Sequence, residues 1–431
     1  MTRPAMRDTA SGEGCALEAR VGPSVCRMGN ENTHIEGAAR TAPWISRLTV
    51  TTFRSYGAAS VEAKPGVCVV SGPNGSGKTN LLEAISFLAP GRGLRGDGLG
   101  AVAQREIGEG APPRLNASGG AGALRWAVAA EVETHAGAVR LGVGCQTSDT
   151  GAVKRLVRID GIAQSGPAAL AKHIRLVWAS PAIDRLFVDA AGERRRFFDR
   201  MVTVFDPAHS RHLGRFERQA RQRLKLLDTG GDERWLATLE EEMAEAAIAI
   251  SAGRNAFLDR LQEAAAAWSG TVGAFPVPAL HLVGQVEEAL RRGSALEAED
   301  AYRAALREGR MRDGAAGRTL EGPHRSDFQA VYRDKSMPAQ DCSTGEQKAM
   351  VLGLILAQAR LLSAGWGTPV ILLDEVAAHF DSARREALFT ELLSMGGQVW
   401  LTGADADLFS GLRGSAAFYH ITDGRIVPET T

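Results

Sequence analysis

Cysteine pairs, net charge and long apolar runs are all scarce in this chain of 431 residues. The five cysteines are odd in number and scattered without a C-x-x-C pair, so the sequence indicates neither a disulfide framework nor a zinc site. The 50 basic and 50 acidic residues cancel. Binding to nucleic acid or to a membrane surface would therefore depend on local clusters of charge.

No continuous apolar run approaches the roughly 18 to 20 residues that a membrane span requires. The first twenty residues also lack the apolar segment of a secretory signal. With the unpaired cysteines, these absences predict a cytoplasmic protein without a membrane partner. Residues 1–42 are rich in small and charged residues without periodicity, which predicts a disordered extension. The alternative is a start codon assigned too early, with translation beginning at Met28.

Strand and helix patterns alternate through most of the chain. Residues 43–189 and 313–431 combine short apolar strands, a predicted meander of three alternating strands and helical segments. Residues 190–312 change to helical periodicity, broken by the extended stretch TVGAFPVPALHLVG. We predict an α/β domain made from the two flanking parts, containing a sheet with a phosphate loop and an antiparallel β subdomain. The middle part is predicted to be an inserted helical lobe.

The stretch SGPNGSGKT satisfies the phosphate-loop pattern G-x-x-x-x-G-K-[ST] between the predicted strand VCVVS and the predicted helix TNLLEAISFL. Its glycines allow backbone N–H groups to converge on phosphate oxygens, and the helix directs its positive end to the same place. Lys78 is expected to reach the β- and γ-phosphates, and the Thr79 hydroxyl to bind Mg²⁺. A glycine turn without a ligand is the structural alternative. The predicted nucleotide-binding residues of the loop are Gly72, Pro73, Asn74, Gly75, Ser76, Gly77, Lys78 and Thr79.

An acidic partner for this loop stands at the end of the apolar strand PVILLDE. Asp374 is placed to hold Mg²⁺ from its other side, and Glu375 to orient and polarise a water molecule. An acidic residue at the end of a buried strand is common, so Asp374 and Glu375 alone would not indicate a nucleotide site. They indicate one here because the chain also contains a phosphate loop. We predict Glu375 and Lys78 as catalytic residues, and Thr79 and Asp374 as metal ligands.

The segment Ser343-Thr-Gly345-Glu346-Gln opens a predicted helix and allows two interpretations. Ser343 followed three residues later by Glu346 forms the pattern of a capping box. A capped helix start that carries a serine hydroxyl and a glycine is also suited to bind an anion. Sequence alone does not choose between them.

Together, the phosphate loop, the S-x-G-E-Q helix start, the apolar strand ending in Asp-Glu and the Phe380-Asp381 turn resemble the head domain of ABC-type ATPases. This resemblance implies that Ser343 and Gly345 of one protomer close on the γ-phosphate held by another. ATP would then hold a dimer together.

Further stretches narrow the resemblance to the RecF family of bacterial DNA replication and repair proteins. They extend from about residue 44 to the C-terminus and comprise FRSY at 53–56, ERRRFFD at 193–199, RQRLKLLD at 221–228 and GPHRSDF at 322–328. The resemblance implies an ATP-dependent homodimer that binds gapped DNA or single-strand/double-strand junctions in the response to DNA damage. It also implies the partners RecR and RecO, and ATP hydrolysis that acts as a slow switch.

Three positions depart from the ABC pattern. Cys342 stands where a leucine is usual, at a position expected to support packing. Thr402 takes the place of the switch histidine of transporter-type members and is a candidate sensor of the γ-phosphate. The segment WASPAIDRLF lies where the family places a glutamine loop, but it contains no glutamine.

The residues from Glu193 to Asp228 include ten basic and five acidic side chains in an otherwise neutral chain. Arginines at helical spacing could bind DNA phosphates without sequence preference. A solvated helix face with internal ion pairs is the alternative. His324, Arg325 and Asp327 suggest catalysis, but no nucleophile accompanies them, so a loop entering a strand is the preferred interpretation.

Three other functions compete with an ATP-gated DNA clamp. A nucleotide-binding subunit of an ABC transporter is disfavoured by the long helical insertion and the missing switch histidine. A structural SMC-type protein would need far longer heptad repeats. A scaffold that binds ATP without hydrolysing it stays open.

Overall fold

The structure is a computed structural model, and it describes residues 42–103, 124–148, 152–268, 274–422 and 424–429. The predicted disordered extension, residues 1–42, lies outside these ranges except for its last residue. Fifteen strands and nine α-helices are assigned within the described residues.

The strands are numbered in chain order: β1 (Trp44–Phe53), β2 (Tyr56–Glu62), β3 (Val67–Ser71), β4 (Leu124–Thr134), β5 (Gly137–Thr147), β6 (Val153–Ile159), β7 (Ile162–Ala163), β8 (Leu176–Ala179), β9 (Ala279–Val283), β10 (Asp327–Tyr332), β11 (Met337–Pro338), β12 (Val370–Leu373), β13 (Val399–Gly403), β14 (Ala416–Thr422) and β15 (Arg425–Pro428).

The helices are α1 (Lys78–Ser86), α2 (Ala191–Phe205), α3 (His209–Thr229), α4 (Glu233–Trp268), α5 (Gln285–Arg292), α6 (Ala295–Glu308), α7 (Arg310–Ala316), α8 (Thr344–Gly365) and α9 (Ser382–Met395).

The strands form three sheets. An antiparallel sheet has the order β2-β1-β4-β5-β6-β7, and a small antiparallel sheet has the order β11-β10-β9. The third sheet, β15-β14-β3-β13-β12-β8, is parallel except for the terminal hairpin. In this sheet β13 separates β3 from β12, so the segments that follow these three strands leave from one edge.

The parallel sheet is buried on both faces, which explains why its strands read as continuous apolar runs. Successive side chains of a strand point to opposite faces. In β3, Val67 and Val69 belong to a core cluster shared with α2, α4, α8 and α9. Cys68 and Val70 belong to a second cluster, shared with α1 and the antiparallel sheet. The phosphate-loop strand is therefore fixed between two cores.

The helices from α3 to α6 build a smaller core of their own around Met243, Ile250 and Tyr302. Helix α4 also packs against α2 and α8, which belong to the large core. The predicted extended break contains β9, which pairs antiparallel with β10. The elements predicted from periodicity are thus confirmed, whereas α7 was not predicted. The lobe boundaries at residues 190 and 312 stay predictions.

Among the described residues, α8 is the one helix long and apolar enough to be tested as a membrane span. By length and composition alone its 22 residues are apolar enough to cross one, but 67% of the apolar window is buried inside the protein. Small and apolar side chains on all sides of the helix explain this burial, since α8 lies in the large core. It is a core helix.

Buried charges join the helices to the rest of the core around Arg254. Its guanidinium binds both carboxylate oxygens of Asp199 at 2.8 Å, Glu287 at 2.7 Å and the carbonyl of Pro323 at 2.8 Å. Burial acts to raise the pKa of Asp199, but a hydrogen bond with His209 and the charge of Arg254 hold that pKa below its ordinary value. The cluster links α2, α4, α5 and the segment before β10.

Replacing Arg254 with Met should destabilise the fold by about 3 to 5 kcal/mol, because two buried carboxylates lose their counter-charge. The pKa of Asp199 is depressed in the folded chain, so its contribution is present above the unfolded pKa of about 4 and is lost as the pH falls through the folded value. The difference in urea midpoint between the natural protein and Arg254→Met should therefore become smaller as the pH falls below about 4.

The matched control is Arg292→Met, which removes an exposed ion pair with Glu288. Exposed pairs contribute about 0 to 1 kcal/mol. Equal midpoint shifts for Arg254→Met and Arg292→Met would contradict the assignment of a buried charge cluster.

Candidate functional site

The loop between β3 and α1 has the backbone that a phosphate site requires. Gly72, Gly75 and Gly77 all have positive φ, at 148°, 82° and 113°. A β-carbon at Gly72 would lie 2.5 Å from the carbonyl oxygen of Ile421, so that position also demands glycine for space. The Lys78 ammonium donates to the carbonyls of Gly72 at 2.8 Å and Pro73 at 2.9 Å, which holds it against the loop.

One buried polar atom of the loop has no partner among the described residues, the hydroxyl oxygen of Ser76. Unpaired buried hydroxyls are uncommon in folded proteins and need an explanation. A phosphate oxygen is an acceptor that such a loop is built to receive.

The FRSY motif braces this loop, a role that the sequence did not reveal. The Tyr56 hydroxyl donates to the carbonyl of Gly77 at 2.8 Å, and the Asn80 amide donates to the Ser55 hydroxyl at 2.8 Å. Thr52 and Arg54 adopt positive φ angles of 50° and 52°. Only the tertiary contacts of this strained turn show what the motif does.

A carboxylate on α1, Glu83, is fully buried and clamped by two arginines. Arg54 binds both of its oxygens, at 2.9 and 2.6 Å, and Arg95 binds one at 3.0 Å. Arg95 also donates to Asn80 at 2.9 Å. These charge-assisted bonds fix the helix that follows the phosphate loop.

Asp374 lies where the sequence predicted, opposite Thr79. Its Oδ1 accepts hydrogen bonds from the Thr79 hydroxyl at 3.0 Å and from the Thr402 hydroxyl at 2.7 Å. Burial raises the pKa of Asp374 above its ordinary value, and the two hydroxyls oppose that shift. Strand β13 thus supplies a second donor to the carboxylate that follows β12.

Glu375 is held in an unusual backbone conformation. Its φ of 54° and ψ of 18° lie in the left-handed region, which is uncommon for residues with a side chain. The Glu375 N–H donates to the Thr402 hydroxyl at 3.0 Å. Thr402, predicted as a candidate phosphate sensor, therefore contacts both acidic residues through one oxygen.

The S-x-G-E-Q segment that begins at Ser343 forms a complete capping box at the start of α8. Glu346 accepts from the Ser343 backbone N–H at 3.0 Å, and the Ser343 hydroxyl faces the Glu346 N–H at 3.4 Å. Lys335 binds the same carboxylate at 2.5 Å, and the bonds with Lys335 and Ser343 lower the pKa of Glu346 to about 2. Within the described residues, the hydrogen bonds of Ser343 stay at its own helix start, and its side chain is exposed.

Cys342 is buried in the large core, in agreement with the packing role expected of it. The segment that replaces the glutamine loop ends β8 and continues as a short 3₁₀ turn, Pro181–Ile183. There Asp184 pairs with Lys348 of α8 at 2.8 Å, beside a cavity of about 20 Å³ that Val376 also lines. This contact ties α8 to the edge of the parallel sheet.

Seven of the ten basic residues between 193 and 228 contact other groups of the protein, five of them outside this segment. Arg194 pairs with Asp327 at 2.6 Å, and Arg223 pairs with Glu240 at 3.0 Å and Asp313 at 2.6 Å. The other members with a contact are Arg195 on the Ser326 carbonyl, Arg196 on Glu193, Arg200 over the Trp178 ring, Arg215 on Glu245 and Arg221 on Glu217. Internal pairing therefore accounts for most of this local charge.

His324 and Asp327 are structural. The His324 Nε2 lies 2.8 Å from the carbonyl of Thr319, and its ring packs on Phe216. Burial lowers the pKa of His324. Asp327 begins β10 and is bound by both ends of the Arg194 guanidinium. This confirms the interpretation as a loop entering a strand.

The chain is similar to a family model and to proteins of known function. The model of the RecF/RecN/SMC N terminal domain family matches residues 44–112. The DNA replication and repair protein RecF of Allorhizobium ampelinum is 44% identical over 385 residues, which are 89% of this chain and 98% of that protein. RecF of Brucella suis biovar 1 is 44% identical over 385 residues, 89% of this chain and 95% of that protein.

Two solved structures of the recombination mediator protein RecF in the RecFOR pathway share the fold. The RecF-ATPrS structure has a TM-score of 0.76 at 20% identity and covers 91% of this chain and 99% of its own. The RecF-ATP structure has a TM-score of 0.75 at 21% identity with the same coverage. The predicted fold class, an α/β ABC-ATPase head with inserted helices, is confirmed.

Replacing Thr402 with Val keeps the side-chain shape but removes the donor to Asp374 and the acceptor for Glu375. The pKa of Asp374, already raised by burial, should rise further. A carboxyl whose folded pKa exceeds the unfolded value of about 4 loses stability as the pH rises through that interval. The melting temperature of Thr402→Val relative to the natural protein should therefore fall as the pH rises above about 4. Thr402→Ser, which keeps the hydroxyl, should show the same dependence of melting temperature on pH as the natural protein. The same pH dependence in all three proteins would contradict the role of Thr402 as a hydrogen-bond donor to Asp374.

Proposed function

The chain belongs to the RecF family of DNA replication and repair proteins, and from that membership we propose that it is an ATP-gated DNA clamp. Two copies close on two molecules of Mg²⁺–ATP, the closed dimer holds DNA, and hydrolysis reopens it. The observation that carries this proposal is the hydrogen bond between Thr79 and Asp374 at 3.0 Å, which joins the phosphate loop with Lys78 to the strand end with Glu375.

ATP is proposed as the nucleotide because the loop offers the groups that a triphosphate needs. The Lys78 ammonium supplies positive charge, and the unpaired Ser76 hydroxyl supplies a donor. One structure with the same fold is of RecF with ATP, which supports this choice. The glycine backbone and the N-terminus of α1 provide the remaining donors.

The residues also fit Mg²⁺. The Thr79 hydroxyl and the Asp374 carboxylate lie 3.0 Å apart and are oxygen ligands of the kind that Mg²⁺ prefers. When bound, the ion would neutralise charge on the β- and γ-phosphates. Thr79 and Asp374 would hold it, and Thr402 would keep Asp374 in place.

The second half of each ATP site is proposed to come from the other copy. Ser343 is exposed at the capped start of α8 and Gly345 is partly exposed, so a neighbouring molecule can approach both. The capping box and the anion site are compatible, because backbone N–H groups of the first helical turn stay available beyond the cap. ATP then stabilises the dimer by linkage, since it binds the dimer better than the monomer.

Glu375 is proposed as the general base that activates water. Its left-handed backbone is fixed by Thr402 from the next strand, so its position depends on the parallel sheet. Hydrolysis removes the bridging γ-phosphate and weakens the dimer. A slow turnover is sufficient for a switch of this kind.

Gapped DNA or a single-strand/double-strand junction is the proposed substrate, with RecR and RecO as partners in the cytoplasm. The support is family membership and the RecFOR pathway named for structures of the same fold. The transporter alternative is not favoured, because the curated relatives are DNA replication and repair proteins over nearly their whole length.

Complementation tests whether each site is shared between copies. Lys78→Ala should abolish nucleotide binding, and Ser343→Arg should block the partner's γ-phosphate, so neither variant alone should dimerise with ATP. An equimolar mixture forms heterodimers with one intact composite site, and sedimentation should recover ATP-dependent dimers. No recovery, or equal dimerisation with ATP, with ADP and without nucleotide, would refute the shared site.

Glu375→Gln should prolong the life of ATP-dependent dimers on DNA by about tenfold or more, because a glutamine keeps the shape but removes the base. Dissociation of a labelled gapped duplex after dilution into excess competitor measures that lifetime. A lifetime equal to that of the natural protein would remove Glu375 from the mechanism and favour a scaffold that does not hydrolyse ATP.

A further inference from the structure

Three of the ten basic residues between 193 and 228 differ from the others. Arg211, Arg218 and Lys225 are exposed, and within the described residues no side-chain hydrogen bond, ion pair or ring contact engages their charged groups. The seven others contact carboxylates, carbonyls or aromatic rings of the protein. These three cations are therefore available to an external anion.

All three cations project from one face of α3. They are spaced seven residues apart, close to two full turns each, so they form a stripe about 21 Å long at 1.5 Å rise per residue. The opposite face carries the buried side chains Phe216 and Arg223. The helix thus has its packed side against α4 and a basic side toward solvent.

Acidic residues lie beside this stripe and not on it. Glu217, at the edge, is 3.8 Å from Arg221, which partly offsets the charge of that arginine. Asp228 follows near the end of the helix. Arg215, on the other side of the stripe, forms an ion pair with Glu245 at 2.8 Å. The stripe keeps its positive charge although the whole chain is neutral.

Gly214 lies on the same face, between Arg211 and Arg218. A glycine inside a helix costs about 1 kcal/mol relative to alanine. Packing does not require it here, because a β-carbon at Gly214 would have only Arg218 Nη1 within 4 Å, at 3.5 Å. Bare backbone at this place gives a bulky anionic group room to approach the helix.

From these observations we infer that the outer face of α3 binds the phosphate backbone of DNA. This inference rests on the proposed DNA clamp and names the surface that would hold the nucleic acid. Phosphates of one strand recur every 3.4 Å along a duplex, so a stripe of about 21 Å follows a strand over about six base pairs. Contacts of this kind position DNA without reading its sequence.

The test compares the natural full-length protein with Arg211→Gln/Arg218→Gln/Lys225→Gln in the presence of ATP. Binding of a fluorescent gapped duplex is measured from about 50 to 300 mM salt. Each phosphate contact contributes about −0.9 to the slope of log K against log salt. Loss of the three contacts of one α3 should flatten the slope by about 2.7, and by about twice that if the α3 helices of both copies lie on the duplex, and it should weaken binding at least tenfold at about 100 mM salt.

The matched control removes the same amount of charge outside α3, with Arg292→Gln, Arg307→Gln and Arg318→Gln, which are all exposed positions. This control should keep the natural slope, and both variants should form ATP-dependent dimers. If the slope of log K against log salt flattened equally in both variants, the loss of DNA binding would come from the overall charge of the protein and not from α3, which would overturn the inference. An unchanged slope in the α3 variant would also overturn it. Absence of DNA binding by the natural protein would refute the proposed clamp itself.

Discussion

One carboxylate oxygen holds the candidate site together. Oδ1 of Asp374 accepts hydrogen bonds from the hydroxyl groups of Thr79 and Thr402. Thr79 lies in the first turn of α1, after the phosphate loop, and Thr402 lies on β13, between the strands that carry the loop and Asp374. Three segments far apart in sequence are thereby joined at one edge of the parallel sheet. The arrangement depends on the sheet being buried on both faces, since packing on each side fixes where its strands end. Glu375 follows directly and takes its left-handed conformation in the same frame.

The number of basic residues between Glu193 and Asp228 overstates the positive charge that this segment presents to solvent. Between Glu193 and Asp228 the chain has twice as many basic as acidic residues, yet Asp327, Glu240 and Asp313 come from distant parts of the chain to neutralise several of the arginines. A buried arginine needs a counter-charge because the interior solvates it poorly. The exposed cations of this segment that no group of the described residues engages lie on one face of α3, where burial makes no such demand. The same composition therefore serves internal architecture on one side of a helix and an open basic surface on the other.

The start of α8 combines a structural and a proposed functional role. Its capping box stabilises the helix, and Lys335 strengthens that box by binding Glu346. Meanwhile the body of α8 lies in the large core and pairs through Lys348 with the segment after β8. A helix end that is fixed at its cap and its flank presents its N–H groups in a constant direction, which is what a site completed by a second molecule needs.

Local sequence patterns are enough to predict the phosphate loop, the acidic strand end, the capping box and most helices and strands, because each depends on neighbours within a few residues. Periodicity also indicated an insertion of helices into an α/β chain. Tertiary structure alone decided that Thr402 joins Asp374 to Glu375, that Tyr56 braces Gly77 and that Arg54 clamps Glu83. It also decided which arginines are paired and which are free. These contacts join residues that are far apart in the sequence and come together only when the two cores form around the parallel sheet. A pattern of neighbouring residues therefore cannot predict them.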